Sequence, residues 1–327
     1  MLVKYFGKVF NKDTDRNKGK CECSYEVRTE FLKNGLFRFT QPNKLNDKGS
    51  EFKLYPYFNE ISPSDRLYAI TKYKEENWGP NPKKTNIENL KVSLGINQNM
   101  RYNPADWGGL KGPSLTEMDQ STWIKNTEQF NEDIINTMSE NLGIFSLSTD
   151  ALSEHMWTMY ASEGAGIAVE FDESHPFFES NIPQAVSYSN SDRATYTYYE
   201  GIELINGIKR KNFNIEKLSS TEMKELFKRL ALSKNRSWAQ EKEKRIIIDL
   251  RKVSNADINH PLYNQHPDTS LHAIPFEAFK SIIFGYAPER ELVEKVTSII
   301  KENKSLSHVK IKYVTHDHFG NLVFKDK

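Results

Sequence analysis

Cysteine is almost missing from this chain: Cys21 and Cys23 are the only two in 327 residues. So few, so close together, they exclude a disulfide framework, and a lone Cys-x-Cys pair does not make a zinc site; the usage fits a reducing compartment. Long apolar runs are also lacking. The opening MLVKYFGKVF has neither the apolar core nor the small-residue cleavage site of a secretion signal, and no stretch approaches the roughly 20 apolar residues that cross a bilayer. The expectation is a soluble, cytoplasmic protein with no membrane partner. Charge of one sign is not in excess, with 45 basic against 44 acidic residues, so the overall field selects no partner and only local clusters inform. Walker loops, dinucleotide glycine fingerprints, nucleophile elbows and internal repeats are absent, and the GAG at Gly164 to Gly166 is too short to cradle a phosphate.

What is present is an aromatic chain of ordinary size. Aromatics make up 12% and hydrophobic residues 37%, which suggests a core rich in Phe and Tyr with long polar excursions. The length suits one domain over 1–327. A Pro-, Gly- and Asn-rich stretch at about 77–113 reads as an insertion or lid, with a strand expected at Leu90 to Ile96. The pattern predicts strands at Leu2 to Phe10, Phe37 to Thr40, Ile144 to Ser148, Ile167 to Phe171, Val186 to Tyr188, near Leu271, at Ser281 to Phe284 and at Val309 to Val314. Helices are predicted from Tyr25 to a stop at Gly35, from Ser62, along Trp123 to Met138 with Gly143 as its end, at Asp150 to Ser162, from Ser219, and from Pro288. Such mixed elements point to an α+β domain, a mixed split β-sheet flanked by helices.

The stretch Ser233 to Leu250, SKNRSWAQEKEKRIIIDL, concentrates the chemistry. The run Ile246 to Ile248 reads as a buried strand. If that strand begins near Glu241, then Glu241, Glu243 and Arg245 share one face. Trp238, just upstream, offers an aromatic cover. The same row also fits an edge strand guarded by charges, and Arg245 fits a structural ion pair with Glu243.

Between Lys209 and Arg245 there are 12 Lys or Arg against five Glu; such a run is either a solvated face or a contact for a phosphate-bearing ligand or nucleic acid. At the far end, His316, Asp317 and His318 form a trio that reads as a surface turn rather than a metal site.

Several segments resemble an uncharacterised bacterial family known as domain of unknown function 2971. They are VKYF, LFRFTQPNKLND, IFSLSTDALSEHMWTMYASEGAGIAVEFD, VSY, SWAQEKEKRI and IPFEAFKSIIFG. The chain departs from that pattern at Lys48, where Pro is usual, and at Met159, where His is usual. More distantly, the chain order is similar to that of ADP-ribosyltransferases, in which an early polar strand residue, a Ser-containing strand and a late Glu-x-Glu strand line a cleft for NAD. The corresponding residues here are Lys4 and Tyr5, Ser146 and Ser148, and Glu241 and Glu243.

That resemblance implies an NAD-consuming transferase or glycohydrolase with a macromolecular acceptor or water, in the role of a bacterial toxin, effector or antiviral defence protein. Cleaving the nicotinamide–ribose bond develops oxocarbenium-like charge, which a nearby carboxylate stabilises most in the transition state. Glu243 takes that role and Glu241 orients or deprotonates the acceptor. Trp157 or Tyr160 stacks on nicotinamide, and Arg245, Lys4 or Arg38 neutralises the pyrophosphate. No metal is implied. The competing reading is a nucleic-acid or protein-binding module without catalysis, using the 209–245 region.

Overall fold

The computed structural model describes residues 1–13, 22–46, 51–60, 62–64, 119–199, 202–209, 220–250 and 270–325. The insertion at 77–113, with its strand at Leu90 to Ile96, and the helix from Ser62 beyond Ser64 lie outside the described residues. The span read as one domain divides into two compact units: Met1–Gln41, Glu140–Val186 and Ser237–Lys327 form the first, Pro42–Ser139 and Ser187–Arg236 the second. The chain is a mixed α+β protein with a large mixed sheet and several helices.

The first unit is built on an eight-stranded sheet. Strand β1 (Leu2–Phe6) lies inside it, between β7 (Ile167–Phe171) and β6 (Leu142–Ser148). Beyond β6 come β12 (Glu243–Asp249) and the two-residue β8 (Gln184–Ala185). Beyond β7 come β14 (Phe279–Phe284), β15 (Lys310–His316) and β16 (Leu322–Phe324). The β14–β15 pair is parallel while the other pairs are antiparallel. A parallel neighbour needs a crossover, and helix α6 (Arg290–Glu302) supplies it, burying Leu292, Val296, Ile299 and Ile300 at helical spacing.

Each sheet face has its own apolar layer. Leu2, Phe145, Leu147, Val169, Phe171, Ile246, Ile282 and Phe284 belong to one core, joined by Phe37 and Phe39 of β4 (Leu36–Phe39). Phe37 meets Phe145, Phe171 and Phe279 edge-on at 5.5–5.6 Å, a geometry that adds to the burial of about 1.5–3 kcal/mol expected for one such ring. On the other face Val3, Tyr5, Ala168 and Ile283 are covered by Met156 and Trp157 of α3 (Glu154–Tyr160). The helix is capped by Ser153, whose side chain accepts from the Met156 amide, rather than starting at Asp150.

Several predicted elements shift. Glu22–Val27 is a strand, β3, paired with β2 (Lys8–Asp13), where a helix from Tyr25 was predicted. Cross-strand pairing overrides the helical spacing of Val27, Phe31 and Leu32, and only Phe31–Asn34 is helical, as α1, stopped at Gly35 in a left-handed conformation. The first strand breaks at Gly7, where a Cβ would crowd the Ser162 hydroxyl at 2.8 Å and the Tyr160 carbonyl at 2.9 Å. Gly143 lies inside β6 and does not end the preceding helix; its bare Cα admits the Phe39 and Leu250 side chains. The strand expected at Val186 to Tyr188 is β8, two residues earlier, followed by a single bridge at Ser187. The strand expected near Leu271 is β13 (Ser270–Ala273), and it pairs with β4; Phe178 of α4 (Pro176–Ser180) fills the core against Phe171.

The second unit holds a four-stranded sheet in the order β11 (Ile208–Lys209), β10 (Ile202–Ile205), β9 (Thr195–Tyr199), β5 (Tyr55–Phe58). Most of α2 (Gln120–Asn141) belongs to it, and Trp123, fully buried, packs 4.2 Å from the Tyr196 ring. The Asn131 side chain bonds both the amide and the carbonyl of Leu54. Helix α5 (Ser220–Ala231) buries Leu226 and Leu230 as its periodicity predicts. A buried ion pair, Lys234 to Glu51 at 3.0 Å, completes the interior.

Candidate functional site

Strands β1, β6 and β12 bring three sequence-distant segments together in the first unit. Seven consecutive residues of β12 pair with β6, setting Glu243 opposite Ser148 and Arg245 opposite Ser146. Ser148 in turn faces Val3 of β1. Residues directly opposite in a sheet project to the same side, so Glu243, Arg245, Ser146, Ser148 and Tyr5 share one face. Lys4 belongs to the other. Its ammonium reaches the Ser146 carbonyl at 2.9 Å and lies 5.1 Å from the Phe145 ring centre. That carbonyl is within reach because β1 and β6 pair only at Val3 and Ser148.

The carboxylates are held differently from the expected single row. Glu241 is the last residue of a 3-10 helix, Arg236–Glu241, and the strand begins at Glu243. Lys242 between them has φ of 47°, which breaks the two-residue alternation. A left-handed non-glycine residue costs of order 1–3 kcal/mol and persists only where its surroundings dictate it. Here the Thr149 amide and hydroxyl both donate to the Lys242 carbonyl, and the Lys242 ammonium meets Asp150 at 2.8 Å. The Ser148 hydroxyl donates to the Glu241 carbonyl at 2.8 Å.

Glu241 and Glu243 are 3% and 6% exposed. The Tyr160 hydroxyl donates to Glu241 at 2.5 Å. Arg245 grips Glu243 through Nε at 2.8 Å and Nη2 at 3.1 Å, a two-point pair that fixes the orientation of the carboxylate. The row is therefore not a solvent-facing guard on an open edge, since β8 also pairs along Lys244 and Arg245. Because Arg245 is committed to Glu243, its part in neutralising a pyrophosphate gives way to the structural pairing also anticipated for it.

Around this pair the other expected residues separate into two sets. Trp157 is fully buried, donates its indole N–H to the Ala151 carbonyl and packs edge-on against Tyr5 at 5.0 Å; it is a core residue with no face left for a nicotinamide. Tyr5 is 6% exposed and donates to the Asp150 carbonyl, and burial, with Asp150 nearby, pushes its phenol well above the usual range. Tyr160 and Trp238 are half-buried. Burial lowers the Lys4 ammonium to about 8, with Glu243 and Glu241 opposing that effect and Arg38 adding to it. Arg38, on β4, is itself lowered by burial and by Arg28. Arg28 was not singled out from the sequence; nothing local marks it, since only folding brings it beside Arg38.

Residues 156–246 match the family described as protein of unknown function (DUF2971). The DUF2971 match takes in Tyr160, both glutamates and Arg245. VSY and SWAQEKEKRI fall inside it, as does the central block from Met156 onward; VKYF, LFRFTQPNKLND and IPFEAFKSIIFG lie outside it. No curated protein and no solved structure matches the chain.

The remaining candidates have other occupations. In the basic stretch, Arg229 pairs with Glu225, Lys234 with Glu51, Lys242 with Asp150 and Lys244 with Glu173. The Lys209 side chain and all of Arg210 and Lys211 are outside the description. His316 lies 3.3 Å from Glu154, and Asp317 caps the turn to Asn321. Its strand, β15, is separated from β12 by β14, β7, β1 and β6, so the histidines and the Glu strand do not meet. No cluster of three potential metal ligands occurs among the described residues, and no described helix is long and apolar enough to cross a membrane.

Proposed function

We propose that this protein consumes NAD, transferring ADP-ribose to a macromolecule or to water. One observation supports the reading above the others. The Glu strand and the Ser strand are neighbours despite nearly a hundred intervening residues, with Glu243 directly across from Ser148 and Lys4 reaching the Ser146 carbonyl from the next strand. A small ligand needs convergent groups from separate elements, and these three strands supply carboxylates, serines and a half-buried ammonium near one another.

In this reading the bond from ribose C1′ to the nicotinamide nitrogen breaks, and its electron pair leaves with the ring, cancelling the pyridinium charge. The Glu243 carboxylate stabilises the cationic sugar, and Arg245 holds it in place for that purpose. The acceptor oxygen forms the new bond to C1′ and passes its proton to Glu241, which Tyr160 orients. Lys4, whose ammonium reaches the Ser146 carbonyl where β1 and β6 part, answers the diphosphate, with Arg38 near it and Arg28 beside Arg38. A bacterial effector or defence toxin is the role such an activity suggests. The binding-module reading is less favoured, because the described bases that would contact phosphates are largely paired with acids.

The test is free nicotinamide after incubation with NAD, alone and with cell extract, for the native chain and Glu243→Gln. Release that falls by about 100-fold or more in the folded variant supports the assignment. Release from neither incubation, or undiminished release from the variant, overturns it.

A further inference from the structure

The second unit carries a cavity of about 520 Å³ lined by Ser187, Tyr188, Ser189, Asn190, Ser191 and Arg236. None of these residues is used in the proposed reaction. The walls come from two segments that a short parallel bridge holds side by side: the Ser187 amide donates to the Leu232 carbonyl, and the Lys234 amide returns to the Ser187 carbonyl. Arg236 follows two residues later and is thereby placed over the serine loop. From behind, Arg229 donates to the Ser191 carbonyl at 2.7 Å and Ser64 to the Arg193 carbonyl at 2.6 Å, so the loop is fixed by side chains that do not line the cavity.

The chemistry of the lining is one-sided. Arg236 is exposed and makes no hydrogen bond or ion pair among the described residues, whereas the bases nearest to it in sequence are engaged. The nearby acid, Asp192, is drawn off by the Ser187 hydroxyl at 2.6 Å and is not part of the lining. The Ser189 and Ser191 hydroxyls lie 2.8 Å apart. Hydroxyls, an amide and a guanidinium with no carboxylate among them favour a ligand rich in acceptors, and a guanidinium fork matches a phosphate in two-point geometry. A neutral sugar brings no negative charge to answer the guanidinium. The volume falls in the range of about 300–1,000 Å³ typical of small-molecule sites and is far more than a bare anion requires.

We propose that this cavity binds a phosphate monoester of a small organic molecule, with Arg236 on the phosphate and the Ser189 and Ser191 hydroxyls beside it. The site is independent of the NAD reading and stands or falls separately.

Calorimetric titration of the full chain with adenosine 5′-monophosphate, ribose 5-phosphate, adenosine and inorganic phosphate tests it. At least one ester should bind, with affinity reduced tenfold or more in Arg236→Gln and partly retained in Arg236→Lys. Arg236 is exposed, so both variants should melt with the native chain. Whichever ester binds identifies the organic part. The proposal is overturned if neither ester binds at millimolar concentration, if Arg236→Gln binds as well as the native chain, if adenosine matches its monophosphate, or if inorganic phosphate binds as tightly as the esters.

Discussion

Arg245 and Glu243, two residues apart on one strand, close a two-point ion pair in which each side chain is more than nine-tenths buried. Removing one partner strips a two-point, charge-assisted contact from a charge held in the interior. Arg245→Met should therefore cost about 3–5 kcal/mol in urea unfolding. Replacing both residues with apolar ones of similar volume should cost clearly less than that single change. A double variant as unstable as Arg245→Met would mean the pair is not the source of the effect.

Tyr160 and Glu241 are 81 residues apart and joined by one hydrogen bond. Tyr160→Phe deletes the donor and keeps the ring, so a loss of about 1–3 kcal/mol is expected from the bond removed from a buried carboxylate. In a double-mutant cycle with Glu241→Gln the two losses should be non-additive. Additive losses would show that the hydroxyl stabilises something else.

Lys4 gives a pH signature. Its folded value is lowered to about 8 from an ordinary 10.5. Between those values the unfolded chain holds a proton that the folded chain does not, so stability rises with pH. Below about 8 the desolvated ammonium weighs fully against folding. The stability of the native chain relative to Lys4→Met should increase from pH 8 to 10.5 and be flat between pH 6 and 7.5. A difference constant across the whole range would place the amine in solvent.

Glu170 shows the opposite sense. Burial alone would raise it, but hydrogen bonds from Lys312, Ser281 and Lys280 outweigh that and lower it from 4.5 to about 2. Its contribution is complete above pH 4.5 and is lost as pH falls through about 2. Acid titration of Glu170→Gln should show a deficit against the native chain at pH 6 that shrinks steadily below pH 4.5. A deficit that persists unchanged at pH 2 would assign it to packing instead.

Much of the architecture was readable along the chain. Ile167 to Phe171, Ser281 to Phe284 and the helix from Pro288 announce themselves because a strand or amphipathic helix repeats its apolar residues at a fixed local period. Gly35 was readable as a stop because only a residue without a Cβ takes its left-handed conformation easily. The Glu-x-Glu stretch stood out by composition, yet its geometry did not. Lys242 is held at a positive φ by bonds it accepts from Thr149 and donates to Asp150, residues far away in sequence, and no local rule reports them.

Amino-acid order alone thus determined the α+β class, the buried strands and the segment that carries the carboxylates. Tertiary structure decided the rest. It set Ser148 opposite Glu243, spent Arg245 on that carboxylate, buried Trp157 against Tyr5, turned Tyr160 toward Glu241 and brought Arg28 to Arg38. It also made a cavity from serines whose spacing alone suggests only a turn. The physical reason is that local periodicity says which side of an element is apolar, whereas strand order and side-chain partners depend on which buried surfaces meet once the chain has closed on itself.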